Sequence, residues 1–210
     1  MYKRQVQGEG VDGTVTVPVR FGYTGAYTAA AHGPVPATHT PGTVTQDPDR
    51  TFVPSDPSGT TAVPITVSGS AFLRIALDTA DLTPPNPNTD IDLYLYDAAG
   101  QEVGSSGASS THELIELAVP EDGIYTLYVH GWQVPGGTTG FSPRTWSVPL
   151  EPGTGALVID SAPASAMNGV DDEVVASWSG LVPDESYLGA ISHSGDGGEL
   201  LGLTLVEIET

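Results

Sequence analysis

Apolar and polar residues alternate along most of this chain with a period of two positions. Residues 14–21 carry apolar side chains at the odd positions, and residues 90–96 place Ile91, Leu93 and Leu95 on one face. This alternation is typical of strands that bury one face and expose the other. The same pattern, or a short apolar run, predicts further strands at residues 62–67, 71–77, 102–105, 114–119, 123–132, 141–148, 156–161, 173–178, 187–191 and 200–207.

The spacing of these strands indicates the fold class. No stretch of about a dozen residues keeps a helical period, and turn-forming residues separate the strands about every 8–12 positions. We therefore predict an all-β fold with two β-sandwich domains. Pro18 lies on the polar face of its strand, which predicts an edge position. Apolar residues of both parities at 200–207 predict a central strand or a bulge. The prolines between residues 33 and 57 predict an irregular connection: Pro34, Pro36, Pro41, Pro48, Pro54 and Pro57.

The same signals divide the chain into five segments. Residues 1–5 (MYKRQ) resemble the translation of a sequencing adapter, so we expect them to be a scar at the start of a fragment. Residues 6–42 are predicted to form strands and a proline-rich connection, with the tail of a preceding domain as one interpretation. A larger β-sandwich is expected at 43–149, a linker at 150–155 and a small β-sandwich at 156–210.

Composition narrows the classes of partner. The chain has 210 residues, with 26 Asp and Glu against 6 Lys and Arg, no cysteine, and a net charge of −20. Nucleic acid and anionic membrane surfaces would repel such a chain, so neither is a predicted partner. The lack of cysteine excludes disulfides, a thiolate nucleophile and a cysteine-type zinc site. No apolar run approaches the ~20 residues of a membrane helix.

Three stretches carry a resemblance to a known family. Residues 90–97 (DIDLYLYD) and 123–131 (GIYTLYVHG), with Gly100 and Glu113 between them, resemble the pre-peptidase C-terminal domain. Residues 178–189 contain WSGL followed by YLG, which is similar to the terminal module after that domain in secreted subtilisin-like proteases of actinobacteria. The resemblance implies a larger domain of jelly-roll type and a smaller immunoglobulin-like domain.

The resemblance also implies a function. It indicates a non-catalytic C-terminal accessory segment of a secreted, extracellular serine endopeptidase, which assists secretion, stability, or binding of substrate or cell surface. Its partners would be the parent catalytic domain in cis and a protein or polysaccharide substrate. The Gly-Thr-Ser segment of that family's nucleophile is missing, and the His-Gly-Thr segment is represented only by His32-Gly33-Pro34. We therefore predict that this chain is not itself an enzyme.

Acidic residues around one strand suggest a metal site. Asp90, Asp92 and Asp97 surround the predicted strand at 90–96, and carboxylate oxygens suit the hard cation calcium. Some pre-peptidase C-terminal domains bind calcium, so the resemblance implies it as a candidate, and no other cofactor is predicted. The alternative is structural: Asp90 accepts backbone amides in a turn, and Asp92 faces solvent.

Aromatic residues suggest a binding surface. Tyr94, Tyr96 and Tyr128 lie opposite the apolar faces of two predicted strands, where they would form one exposed patch suited to protein or polysaccharide. The alternative is that tyrosines cover the outer face of a sheet or fill a domain interface.

Two other functions stay open from the sequence. The first is a free-standing adhesion or carbohydrate-binding module that uses the tyrosines. The second is a small hydrolase that uses His130, which follows a predicted strand; against it stands a structural role as a hydrogen-bonding residue at the strand end.

Overall fold

The computed structural model describes residues 2–210, with side chains from Arg4 onward. Twenty strands and one short 3-10 helix at Thr79–Asp81 make up its regular structure, so the predicted all-β fold is confirmed. The strands are β1 (Tyr2–Glu9), β2 (Gly13–Arg20), β3 (Gly25–Ala26), β4 (Thr28–Pro36), β5 (Thr38–His39), β6 (Gly42–Thr45), β7 (Thr60–Val67), β8 (Ser70–Leu77), β9 (Leu82–Thr83), β10 (Asp90–Tyr96), β11 (Glu102–Ser106), β12 (Glu113–Ala118), β13 (Gly123–Gln133), β14 (Thr138–Phe141), β15 (Arg144–Pro149), β16 (Val158–Ser161), β17 (Ser165–Ala166), β18 (Asp171–Trp178), β19 (Ser186–Ser194) and β20 (Leu200–Glu209). Within the described residues, no helix has the length and apolar character needed to cross a membrane.

The chain divides into two compact units. The first unit joins the residues up to Ala37 with Val148–Thr210, and the second unit is Thr38–Ser147. The sequence had suggested that residues 6–42 and 156–210 belong to separate segments. They fold together because β2 pairs with β18 over eight residues, from Gly13 opposite Trp178 to Arg20 opposite Asp171.

The first unit has two main sheets. One has the strand order β1-β20-β19-β4 and the other β16-β18-β2, with a small β17-β3 ladder beside them. β1 runs parallel to β20, and the other pairs are antiparallel. One apolar cluster joins both sheets, with Val17 and Trp178 from one sheet and Ile191 and Val206 from the other. The predicted linker at 150–155 is bonded to β4, since Gly153 N donates to Ala31 O.

The second unit has three sheets. Their strand orders are β11-β10-β13-β7, β12-β8-β15-β5 and β6-β14-β9. The core lies between the first two sheets, because the inward residues of β7, β10 and β13 share a buried cluster with Leu73, Ile75 and Leu77 of β8. Ile91, Leu93 and Leu95 are fully buried in that cluster, as their alternation predicts.

Edge and central strands follow the sequence pattern. β2 is an edge strand, as Pro18 predicts. β20 lies between β1 and β19 and buries residues of both parities, among them Leu205 and Val206. The irregular connection predicted at 33–57 differs from the structure, since it contains the end of β4 and all of β5 and β6. β4 accommodates Pro34 and Pro36 because it is the edge strand of its sheet.

Candidate functional site

The predicted aromatic residues lie together on the outer face of the β11-β10-β13-β7 sheet. β10 and β13 are antiparallel, and their register sets Tyr94 directly opposite Tyr128. The rings of Tyr96 and Tyr128 meet edge to face, with centroids 5.3 Å apart. All three tyrosines are half-buried. The alternation of β10 and β13 therefore forms a tyrosine face on the side opposite the core.

A fourth aromatic residue covers this face. Phe52 stacks on Tyr94 with ring centroids 3.8 Å apart and an interplanar angle of 4°. It also lies 5.6 Å from the ring of Tyr128 and 6.3 Å from that of Tyr96. Phe52 was not predicted to be part of the site, because it lies in the proline-rich connection. Its signal was an isolated aromatic residue in an otherwise polar loop, which has no periodic pattern to show where it packs.

Phe52 belongs to a segment that we call the strap, residues 46–59. Both ends of the strap are hydrogen-bonded to Gly131 of β13: Asp47 N donates to Gly131 O at 2.9 Å, and Gly131 N donates to Gly59 O at 2.8 Å. Gly59 has a φ of 63°, and a Cβ there would lie 2.3 Å from the Cβ of Asp47. Between the ends, residues 48–58 are exposed apart from Phe52. The strap is therefore fixed at its ends and held in the middle by the ring of Phe52 and by the Arg50 guanidinium, which lies 4.5 Å above the ring of Trp132.

A cavity of about 360 Å³ opens beside the tyrosine face. Strap residues 54–57 form one side, and Thr60, Ala62 and Tyr128 form the other. Its volume lies within the ~300–1,000 Å³ of small-ligand sites. The tyrosine face thus borders a space large enough for a side chain or a sugar ring.

His130 anchors the strap through buried polar contacts. Its Nε2 lies 2.7 Å from Oδ2 of Asp47, and its Nδ1 lies 3.3 Å from Oδ2 of Asp92. Burial alone would lower the pKa of His130, but the hydrogen bonds to Asp92 and Asp47 and their charges outweigh burial and raise it above its usual value. Burial acts to raise the pKa of Asp47, and the hydrogen bond from His130, with further bonds, lowers it overall. The strap is therefore tied to the sheet by a buried hydrogen bond between His130 and Asp47, and the directions of both pKa shifts favour the charged forms.

Asp92 does not face solvent, contrary to the structural alternative considered from the sequence. Asp92 is 7% exposed, because His130 contacts one of its carboxylate oxygens and the backbone of Gly107 lies close to the other. Asp90 is buried too, and its Oδ1 has no hydrogen-bond partner among the described residues. Burial, with the charge of Asp92, raises the pKa of Asp90. Burial is also the main reason why the pKa of Glu113 is raised. The carboxylates of Asp90, Asp92 and Glu113 therefore act on one another electrostatically.

The predicted calcium ligands are not gathered into one ligand set. Asp97 binds its own turn, where its Oδ1 accepts hydrogen bonds from the amides of Ala99 and Gln101 at 2.9 and 2.8 Å. Across residues 2–210, no group of three or more His, Asp and Glu side chains is placed to hold a metal ion. Calcium binding by Asp90, Asp92 and Asp97 stays a prediction, and the geometry of this set does not fit it.

The tyrosine hydroxyls are neutral hydrogen-bonding groups. Burial, followed by the charge of Asp92, raises the pKa of Tyr94 to about 12. Burial and the hydrogen bond to Glu102 raise the pKa of Tyr96, whose hydroxyl donates to Glu102 Oε2 at 3.2 Å. The hydroxyls of Tyr94 and Tyr96 are therefore uncharged at physiological pH.

Neither His130 nor His32 lies in a catalytic triad among the described residues. Both ring nitrogens of His130 face carboxylates, and its side chain is 1% exposed. His32 Nε2 contacts Ser192 Oγ at 2.9 Å, but its Nδ1 faces the carbonyl oxygen of Pro149 rather than a carboxylate. Neither arrangement joins a serine, a histidine and an acid as the triad requires. The contacts of His130 fit a hydrogen-bonding residue near the end of its strand.

Comparisons with known proteins address the second unit. Residues 58–131 match the bacterial pre-peptidase C-terminal domain, so the predicted resemblance is confirmed for a segment that carries all three tyrosines. The chain is 38% identical to pyrolysin of Pyrococcus furiosus over 66 residues. This match covers 31% of this chain and 4% of pyrolysin. The chain thus matches only a small fraction of that relative's length.

Solved structures give weaker likenesses. A family two carbohydrate esterase from Cellvibrio japonicus is 13% identical, with a TM-score of 0.29, over 65% of this chain and 34% of that one. The glycosylation-associated protein (Gap123) complex from Streptococcus agalactiae is 10% identical, with a TM-score of 0.23, over 70% of this chain and 40% of that one. At these TM-scores neither likeness bears on function. The immunoglobulin-like module and the actinobacterial origin stay predictions.

Proposed function

We propose that this chain is a non-catalytic accessory segment of a secreted subtilisin-like serine endopeptidase, joined to the catalytic domain in cis. The observation that carries the proposal is the match of residues 58–131 to the bacterial pre-peptidase C-terminal domain. The identity with pyrolysin over 66 residues supports it, as does the absence of a Ser-His-acid arrangement around His32 and His130. The net charge of −20 suits the surface of a soluble, exported protein.

The role proposed for the segment is to bind a protein substrate through the tyrosine face. Phe52 already occupies the Tyr94 end of the face, where the two ring centroids lie 3.8 Å apart. The contact area is therefore offered by the edge-to-face pair of Tyr96 and Tyr128, whose rings and hydroxyls combine apolar contact with hydrogen bonding. The adjoining cavity of about 360 Å³ gives a second point of contact.

The parent protease provides the test of this role. It is produced with and without residues 6–210, and cleavage of a protein such as casein is compared with cleavage of a short chromogenic peptide. We expect loss of the segment to lower kcat/KM for the protein and to leave the short peptide unchanged, because the short peptide does not reach the tyrosine face. Equal effects on both substrates, or none, would contradict a substrate-binding role.

A matched pair of variants assigns the effect to the face. Tyr96→Ala combined with Tyr128→Ala is expected to reproduce the loss seen without the segment. Ile124→Ala provides the control, because Ile124 is on the same strand and is 60% exposed. An effect of the control equal to that of the tyrosine pair would show that the tyrosines are not the binding residues.

The second candidate function is a free-standing adhesion or carbohydrate-binding module. The same aromatic face favours it, because sugar rings also stack on tyrosine. A glycan array probed with the isolated chain distinguishes the two functions: retention on a polysaccharide that Tyr128→Ala abolishes would favour the module. Binding to protein but not to glycans would favour the accessory segment.

A further inference from the structure

A separate cavity of about 370 Å³ lies wholly in the first unit. It is formed by the end of β2 and the turn after it, together with residues of β1, β19 and β20. Its volume falls in the ~300–1,000 Å³ range of small-ligand sites. The cavity shares no residue with the tyrosine face, so it is independent of the function proposed above.

Aromatic rings form much of its wall. Phe21 and Tyr27 pack with centroids 5.0 Å apart at 67°, and Phe21 also meets Tyr23 edge to face at 6.3 Å. The ring of Tyr27 stacks on that of His193 at 6.0 Å and 22°. Phe21 and Tyr27 are themselves buried, which fixes the wall in place. Such a wall suits a flat, apolar body, and an aromatic ring above all.

The polar groups on the wall are already paired with one another. The Tyr27 hydroxyl lies 2.5 Å from His193 Nδ1, and His193 Nε2 lies 2.9 Å from Thr204 Oγ1. Burial, with the positive charge of Arg4, lowers the pKa of His193 to about 4. Burial raises the pKa of Tyr27 to about 12. Both groups are therefore neutral at physiological pH and do not supply a charge to a ligand.

Two arginines supply the positive charge on the cavity wall. Carboxylates lie farther out: besides burial, the charges of Asp196 and Glu199 raise the pKa of Tyr23. Arg4 and Arg20 line the cavity, and no Asp or Glu is among the described residues that do so. This is unusual in a chain with 26 acidic and 6 basic residues. Arg20 also faces Asp171 at 3.3 Å, but both side chains are 71% exposed, and exposed pairs of this kind are weak. Arg4 uses one nitrogen to donate to Pro18 O and keeps other donors.

We propose that this cavity binds an aromatic carboxylate, either as a free acid or as the C-terminal residue of a peptide. The ring lies against Phe21 and Tyr27, and the carboxylate accepts hydrogen bonds from Arg4 and Arg20. A planar guanidinium matches a carboxylate in two parallel hydrogen bonds, which makes the charged group the source of specificity. The acidic remainder of the chain disfavours anions elsewhere on the surface.

The test measures binding of defined probes to the full 210-residue chain by calorimetry and by NMR shifts of His193. The probes are 3-phenylpropanoate and the tripeptide Gly-Gly-Phe, each compared with its amide. We expect at least one carboxylate to bind about tenfold more tightly than its amide, because the amide lacks the charge that the arginines recognise. The stronger of the two identifies the source as free acid or peptide C-terminus.

Charge-removing variants assign the binding to the cavity. Arg4→Gln with Arg20→Gln is expected to weaken carboxylate binding about tenfold or more, whereas Arg50→Gln, an exposed arginine of the second unit, leaves it unchanged. Arg20→Gln alone is also expected to weaken carboxylate binding, because Arg4 lies within residues 1–5, which are expected to be a scar, and a native site must then recognise the acid through Arg20. Equal binding of acid and amide, no binding of either, or an unchanged affinity in Arg20→Gln or in the double variant would overturn the proposal.

Discussion

The substitution Asp47→Asn tests the charged anchor of the strap. It keeps the size of the side chain and an oxygen able to accept the bond from Asp49 N, but it removes the charge that faces His130 Nε2 at 2.7 Å. A hydrogen bond to a charged group contributes ~1.5–3 kcal/mol and a neutral one ~0.5–1.5 kcal/mol. The expected loss is therefore about 1–2 kcal/mol. For a unit of this size, each kcal/mol corresponds to ~4–8 °C in melting temperature.

The effect of this substitution should depend on pH. The pKa of His130 is raised in the folded state, so its stabilisation is complete below the ordinary value of 6.5 and is lost as the pH rises through the folded pKa. The pKa of Asp47 is lowered, so its contribution is present above its ordinary value and lost as the pH falls through the folded pKa. The His130–Asp47 pair therefore stabilises the folded state most at pH values above the ordinary pKa of Asp47 and below that of His130. Asp47→Asn should cost more at about pH 6 than at about pH 9.

Urea unfolding at the two pH values measures the free energy of unfolding directly, and NMR titration of His130 follows its pKa, which should fall in the variant. Asp56→Asn is the control, since Asp56 lies in the exposed part of the strap and should change stability by less than ~0.5 kcal/mol. A loss that is equal at both pH values, or no larger than in the control, would refute the charged anchor.

Three further outcomes are expected. Phe52→Ala should uncover Tyr94, whose pKa of about 12 would fall toward ~10 in a pH titration; an unchanged pKa would show that Phe52 does not bury it. Gly13→Ala should cost ~1–3 kcal/mol in urea unfolding, because its Cβ would lie 2.2 Å from Cζ2 of Trp178. Gly22→Ala, which meets nothing within 4 Å, should cost little, and equal costs would contradict the contact. Chelator or added calcium should leave the melting temperature unchanged, because the predicted ligands are not gathered; a rise with calcium would restore the calcium site.

The sequence was sufficient for features that depend on local alternation. The period of two in residues 90–96 and 123–132 predicted both strands and the shared side of Tyr94, Tyr96 and Tyr128. Their register, which sets Tyr94 opposite Tyr128, was not predicted, because alternation alone does not fix which residues of two strands face each other. The edge position of β2 could be predicted as well, because Pro18 cannot donate a hydrogen bond to a neighbouring strand.

Features that depend on distant contacts could not be predicted in this way. Alternation separates the two faces of β10 but does not show whether a loop covers the second face, so Asp92 was considered solvent-facing. The partner of His130 is Asp47, 83 positions away in the chain, within a segment without periodicity. The grouping of the N-terminal strands with Val148–Thr210 likewise depends on pairing between the two ends of the chain, which a reading in linear order does not reveal.

The gene sequence upstream of Gln5 tests the central claim most directly. An accessory segment joined in cis requires that the reading frame continue upstream into a subtilisin-like catalytic domain with its Asp, His and Ser motifs. We expect sequencing of the genomic locus to show this domain in frame. A stop codon directly upstream, followed by a short native start, would contradict the account and leave the free-standing binding module as the function to test.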